Sequence, residues 1–574
     1  MKKWSIVIAV VMALALLLTA CPAPPTSDNG TNGMPDITLP TDNTTKVVTL
    51  SGEHLTQNPV ETQVPIYGGT LIRGYWIPRT FDSHQKASYG PTATLPVFNQ
   101  LVMFDINYKE VVPETIIGDL AESWETRADG TEIIFHLRQG VKWHDGVPFS
   151  ADDVIYSMDK MVDVTRSAIS DWFPAYERTE KIDDNTVKIH LKYASAGFML
   201  ALAQGESQIQ PLHLAGTDAQ SAAFMVGTGP FMLTEYLTQV HLKFKRNPDY
   251  FRKDKYGNRL PYLDGMVYHH LGWTRTTEMM VGRRLDILDT TTGAGRMDTY
   301  NLIKDGAPEV LWQRRDRYNG SIIIINLNSK PLDDIRVRRA MGLLINEEDL
   351  IFGYAGSTMW GIPDSGILSP AWGLPKEEVI KLMGWDMPWD ERVAEAQRLM
   401  AEACYPEGFK MNAMSAEADG TRTAATLVFV EALRKYLKIE TDVSSGLGTI
   451  EIEKRLKDNR YDTYTRTLEV MDPVQLTNFF GTGEFANYAN YSNPEIDKKL
   501  AELDRILDPD ARREAIWEIE RILLTDLPAL PTGLFIPNFM PYYPWVKNLR
   551  WNDISYSNIN RVEDVWLDES LRVK

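Results

Sequence analysis

Lys2 and Lys3 precede an apolar run of 13 residues, Ile6 to Leu18. A helix needs about 20 apolar residues to cross a bilayer core, so this run is too short to span one. Its length and basic flank predict the core of a secretory signal peptide. No later segment is apolar for long enough to span a membrane. The rest of the chain must therefore bury its apolar groups within itself. Of its 574 residues, 44% are hydrophobic and 24% charged, the balance of a globular body and not of a disordered one. At about 150 residues per domain, the length suggests about four domain-sized units. A net charge of −18 is a poor footprint for nucleic acid, which calls for clustered Lys and Arg. Two cysteines, Cys21 and Cys404, are too few for a disulfide framework or a Cys-rich metal site.

The apolar run ends in Leu18-Thr19-Ala20-Cys21. Small residues before a Cys at this place resemble the bacterial lipoprotein cleavage box, whose Cys becomes the lipidated first residue. The alternative is an ordinary secretory signal with an incidental Cys. This reading makes residues 1–20 a signal peptide, and 21–60 a lipidated Cys21 with a flexible tether. Pro22 to Thr49 is rich in Pro, Thr, Asn, Asp and Gly and cannot bury a core. The protein is then expected on the extracytoplasmic face of the bacterial cytoplasmic membrane, anchored by lipid.

Periodicity predicts a body of mixed strands and helices. Gly68 to Ile72, Ile133 to Leu137 and Thr186 to Leu191 read as strands. Leu242 and Phe244 alternate with Lys243 and Lys245, as in a half-buried strand. Ile322 to Ile325 is continuously apolar, the mark of a strand buried on both faces. Helical spacing follows Asp333-Asp334 (Val337, Ala340, Met341, Leu344), Asp390 (Val393, Ala396, Leu399, Met400) and Asn493-Pro494 (Ile496, Leu500, Leu503). Strands and helices without strict alternation suggest α/β lobes.

Catalytic punctuation is missing. There is no HExxH, GxSxG, P-loop or GxGxxG. His269-His270 would point to opposite faces of a strand, a poor metal pair. In Trp143-His144-Asp145-Gly146 the Asp-Gly reads better as a turn than as half of a catalytic pair. Asp152-Asp153 reads as helix capping. We therefore expect no catalytic residue, metal or cofactor.

The aromatic residues are more informative. The chain has 15 Trp and 24 Tyr. Tyr75, Trp76, Tyr354, Trp360, Trp372, Trp385 and Trp389 fall in stretches rich in Gly and Pro, which predicts loops rather than helices. Loop aromatics can wall a ligand cleft. They can equally be plugs between lobes or cover for a core.

Several blocks resemble the extracellular solute-binding protein family 5, the binding subunits of peptide-type ABC importers. The longest runs from Leu120-Ala121-Glu122-Ser123-Trp124 through Phe135 to Gly146 and Phe149-Ser150-Ala151-Asp152-Asp153-Val154. Gly227-Thr228-Gly229-Pro230-Phe231, Arg246 to Phe251, Asp334 to Ala340 and Tyr491 to Asp497 follow in family order. Asp390 to Phe409 resembles a family helix and turn, with Cys404 where the pattern has Gly. These blocks are scaffold: Val141, Trp143 and Phe149 should pack core, and Asp145-Gly146 should turn the chain.

The resemblance implies an α/β, two-lobed periplasmic-binding-protein-like fold of class II, the large three-domain type with mixed sheets and a hinge. The implied divisions are lobe I over 61–104, 211–317 and 531–574, an extra subdomain over 105–210, and lobe II over 318–530. It implies a monomer that captures a small solute between the lobes and hands it to ABC permease subunits with their cytoplasmic ATPase. Peptide binders of the family hold the ligand amine with an acid before a "DP" pair, here Asp472-Pro473, which places the acid at Glu469. The strand before it, with Thr465 and Thr467, would then pair with the peptide backbone. Ligand contacts are thus expected at Tyr75, Trp76, Tyr354, Trp360, Trp372, Thr465, Thr467, Glu469 and Asp472. An oligosaccharide, stacked on Trp, is the alternative ligand. A secreted hydrolase or a non-transport surface receptor is the alternative class.

Overall fold

Alternating side chains build the strands as their periodicity predicts. Glu132–Leu137 buries Ile133, Phe135 and Leu137 and leaves the residues between them half-buried. Gly320–Ile325 is buried at every residue. It lies inside a sheet, between Thr463–Leu468 and Ala529–Pro531, so both faces and both edges are covered. Helix starts follow local chemistry. Asp334 accepts from Arg336 N–H to open Ile335–Leu343, and Asn493 caps Pro494–Leu503 with Pro494 in its first turn. At Ala151–Met161 the cap is Ser150, with Asp153 returning the bond as a capping box, so the expected Asp152-Asp153 cap is shared with the preceding Ser.

The computed structural model describes residues 47–50, 53–59, 61–75, 77–78, 80–85, 93–270, 273–288, 297–315, 320–415, 421–468, 470, 472–535, 537–552 and 561–572. The expected signal peptide, Cys21, most of the tether, Trp76 and Glu469 lie outside them.

Three large sheets carry the body. The first has seven strands, in the order Phe231–Leu237, His241–Arg246, Gly265–His270, Thr70–Tyr75, Ile287–Leu288, Asn538–Tyr542 and Leu311–Arg315. Thr70–Tyr75 runs parallel to both of its neighbours, and the other pairs are antiparallel. Ala121–Thr126, Glu132–Leu137, Thr186–Leu191 and Tyr176–Asp183 form a four-stranded antiparallel sheet. The third sheet is mixed and five-stranded: Glu440–Ser444, Lys410–Ser415, Thr463–Leu468, Gly320–Ile325 and Ala529–Pro531.

Apolar burial divides between two cores, which define two lobes. One joins the seven- and four-stranded sheets and includes Leu71, Phe135, Trp143, Phe149, Met266 and Trp545. The other surrounds the five-stranded sheet, from Ile322 to Leu530. The chain passes from the seven-stranded to the five-stranded sheet between Arg315 and Gly320, and returns between Pro531 and Asn538. The motif residues Val141, Trp143 and Phe149 are buried, and Gly146 turns the chain at φ 92°. His144 is half-buried in the same turn. One ring nitrogen sits 3.0 Å from Gly229 O and the other accepts from Gly227 N–H, so the ring ties two turns together.

Of the aromatic residues expected in loops, Tyr75, Tyr354 and Trp389 lie in a strand or an α-helix, Trp389 opening Trp389–Glu402, and Trp360 ends the short 3-10 turn Thr358–Trp360. Tyr75 ends the strand Thr70–Tyr75. Tyr354 is in the helix Glu347–Ala355, which Asn346 caps and Gly356 terminates at φ 77°. The glycine that suggested a loop is that helix's left-handed C-terminal cap.

Candidate functional site

In open α/β sheets, ligands bind in crevices outside the carboxyl ends of parallel strands. Each lobe has such an edge. In the first, Thr70–Tyr75 and Gly265–His270 run parallel and end at Tyr75 and His270. In the second, Lys410–Ser415 and Thr463–Leu468 run parallel and end at Ser415 and Leu468. Both chain crossings between the sheets also meet the second lobe at this edge, because Gly320 pairs with Leu468 and Pro531 with Ile322.

Polar side chains gather at the second-lobe edge. Thr465 is buried, and Thr426 donates to its hydroxyl at 2.9 Å. Arg422 is buried in the first turn of Thr421–Leu437, with Nε donating to Ser321 Oγ at 3.2 Å. Thr423 donates to Ser415 Oγ at 3.3 Å. Pairing with Lys410–Ser415 stops at Ser415 and Thr465. Beyond it, on that side, Arg466, Thr467 and Leu468 have no partner strand among the described residues. Their other side pairs with Gly320–Ile322. The Arg466 guanidinium lies 5.2 Å from the Phe479 ring and 5.1 Å from the Tyr488 ring.

Ser321, Ser415, Arg422 and Arg466 were not among the expected site residues. Arg422 carried a sequence signal. Helix first turns favour acids, so a cation there opposes the dipole and needs another reason.

The expected aromatic residues take separate places. Tyr75 is buried beside Arg73, whose guanidinium also meets the Tyr268 and Trp551 rings at 5.2 and 5.5 Å. Trp360 is fully buried, 4.4 Å from Phe539 and 6.2 Å from Tyr300 between ring centroids. Phe539 is on the strand that follows the return crossing, so Trp360 joins the second-lobe loop to the first-lobe sheet. Tyr354 packs on Ile351, Ala425 and Leu534, and Trp372 on the second core.

Asp472 caps the short turn Pro473–Gln475, accepting from Val474 N–H at 2.8 Å. Both its oxygens also take Arg512 Nη2, at 2.7 and 2.9 Å. The loop bearing Trp360 and Trp372 is held by two buried acids. Glu347 accepts from Ser365 N–H at 3.2 Å, and Glu520 from Leu368 and Leu374 N–H at 2.8 and 2.6 Å. Burial raises the Glu347 carboxyl well above the usual range and pushes Glu520 up to about 7. Among the described residues, no group of His, Cys, Asp and Glu is placed to hold a metal ion, and no helix is long and apolar enough to cross a membrane.

The fold is that of a two-lobed α/β protein with a parallel-strand edge in each lobe. The family model for bacterial extracellular solute-binding proteins, family 5 (middle), matches residues 115–486, and the chain belongs to that family. Among the solved structures it resembles are an ABC transporter substrate-binding protein and an ABC transporter-associated periplasmic binding protein. Di/tripeptide-binding protein 1 of Pseudomonas aeruginosa is 26% identical, over 82% of this chain and 88% of that protein. Heme-binding protein A of Haemophilus influenzae is 25% identical, over 80% of this chain and 85% of that one. Among solved structures, the substrate-binding protein CtaP of Listeria monocytogenes superposes with a TM-score of 0.72 at 19% identity, over 87% of this chain and 99% of its own. The periplasmic binding protein DppA of Helicobacter pylori, solved with the peptide STSA, gives 0.69 at 20% identity, over 88% and 99%.

Proposed function

We propose that this protein is the extracytoplasmic receptor of a peptide importer. It captures a di- or oligopeptide between its lobes and delivers it to a membrane permease driven by a cytoplasmic ATPase. Residues 61–317 and 531–574, with 105–210 as a subdomain, form the first lobe, and 318–530 the second. The likeness over most of the chain to a di/tripeptide-binding protein carries this reading.

The second-lobe edge suits such a ligand. An extended peptide has a backbone that can add to the Arg466–Leu468 edge, which is open among the described residues. Glu469, next along the chain, would hold the ligand's amine by a charge-assisted hydrogen bond. Arg422, buried at the same edge, supplies opposite charge for a zwitterion. Tyr75, Trp76, Tyr354, Trp360 and Trp372 serve as walls or supports of the cleft, and Thr465, Thr467 and Asp472 set the strand and turn around Glu469. Closure is a population shift. A peptide that touches both lobes only in the closed state favours that state by its differential affinity, and no bond is made or broken.

Titration calorimetry with trialanine and a panel of dipeptides tests the assignment. The wild type should bind at least one of them. Glu469→Gln should weaken binding about tenfold or more, since hydrogen bonds to charged groups contribute about 1.5–3 kcal/mol. Unchanged affinity would reject the amine role. The anchor is part of the proposal: Cys21→Ser should move the protein from the membrane to the soluble fraction, and an unchanged distribution would remove it.

A further inference from the structure

The two lobes meet at a second place, away in sequence from both crossings. Asp504 follows the second-lobe helix Pro494–Leu503. Its side chain reaches the first lobe. Oδ1 accepts from Gly197 N–H at 2.9 Å and from Ser195 Oγ–H at 2.8 Å. Its main-chain carbonyl accepts from Ala196 N–H at 2.8 Å. These residues open the helix Phe198–Ala203, and Ser195 Oγ in turn accepts from Phe198 N–H at 3.1 Å.

The N-cap of that helix is Gly197, which has no side chain to satisfy its free N–H groups. Ser195 Oγ takes the Phe198 N–H from within the lobe, and Asp504 of the other lobe takes the N–H groups of Gly197 and Ala196 just before it. The fit is close: a Cβ at Gly197 would sit 3.1 Å from Asp504 Oδ1. Two contacts flank it. The Arg505 guanidinium lies 3.8 Å from the Tyr193 ring centroid, and Asn478 Nδ2 donates to Asp171 Oδ2 at 2.7 Å.

We infer that Asp504 is a positioning residue, a clasp that holds the lobes together without ligand and so sets how much of the free protein is closed. The inference rests on the proposed function, in which the lobes open and close. Apparent affinity scales with the competent fraction, so a clasp that populates the closed form strengthens binding without touching ligand. The seam is also built to part. It is a handful of polar bonds, and Gln204 Oε1, buried beside it, has no hydrogen-bond partner.

Ligand-free small-angle scattering and amide hydrogen exchange test the clasp. Asp504→Ala should enlarge the radius of gyration and speed exchange of the Gly197 amide about tenfold, the scale of one hydrogen bond to a charged group. Ser195→Ala should shift both in the same direction by less, and carries the test if the first variant fails to fold. A folded variant with unchanged radius and unchanged Gly197 exchange would overturn the clasp. Neither readout uses ligand, so the clasp stands or falls separately from the peptide assignment.

Discussion

Cys404 is exposed and sits at φ 70°, just beyond the helix Trp389–Glu402 and its C-cap Ala403. The left-handed region penalises a Cβ by about 1–2 kcal/mol, and glycine escapes that penalty. The resemblance places Gly here, and the backbone explains why. Cys404→Gly should raise stability by about 1 kcal/mol, measured by urea unfolding. Equal or lower stability would mean that neighbouring contacts offset the strain. The thiol has no disulfide partner among the described residues. Asp472 illustrates a different balance. Its sequence neighbourhood suggested ligand contact, yet its carboxylate caps a turn and pairs with Arg512. A buried charge held this way is costly to break from either side.

At the scale of elements, the loop from Gly356 to Pro375 shows burial acting through protonation. Glu520 is fully buried and accepts N–H groups from Leu368 and Leu374. Burial raises its pKa from 4.5 to about 7. The folded state therefore favours the protonated acid. Its stabilising contribution is full below pH about 4.5 and is lost as pH rises through about 7. Glu520→Gln, which mimics the neutral form, should remove a fall of about 3 kcal/mol across that window, read from urea unfolding of both proteins at about pH 5 and about pH 8. Parallel pH profiles would show that Glu520 stays ionised. Strand and helix identities were legible where pattern and burial coincide, as at Ile322–Ile325, Asp334 and Asn493-Pro494. Tyr354 was misplaced because Gly356 marks a helix end as readily as a loop. Trp360, expected at the cleft, packs on Tyr300 and Phe539, which the sequence separates widely from it and which no local pattern brings together.

The whole molecule depends on contacts that no local pattern carries. Ser195 and Asp504 are 309 residues apart, and neither lies in a recognisable motif. The scaffold blocks identified the family because they set turns and core, while the proposed ligand contacts fall at strand ends whose partners come from distant segments. Thr465 and Thr467 could be placed from the nearby Asp472-Pro473 pair. Ser321 and Ser415 could not, because only the folded sheet sets Ser321 opposite Thr467 and Ser415 opposite Thr465. The proposed occupant of the space between the lobes is a peptide. Melting the purified protein against panels of di- and tripeptides, cello- and manno-oligosaccharides and haem tests it. Ligand at about 100 times its Kd should add ~2.7 kcal/mol of stability. Peptides should raise the melting temperature and be recovered intact. A shift with sugars or haem alone, or peptides returned cleaved, would contradict it.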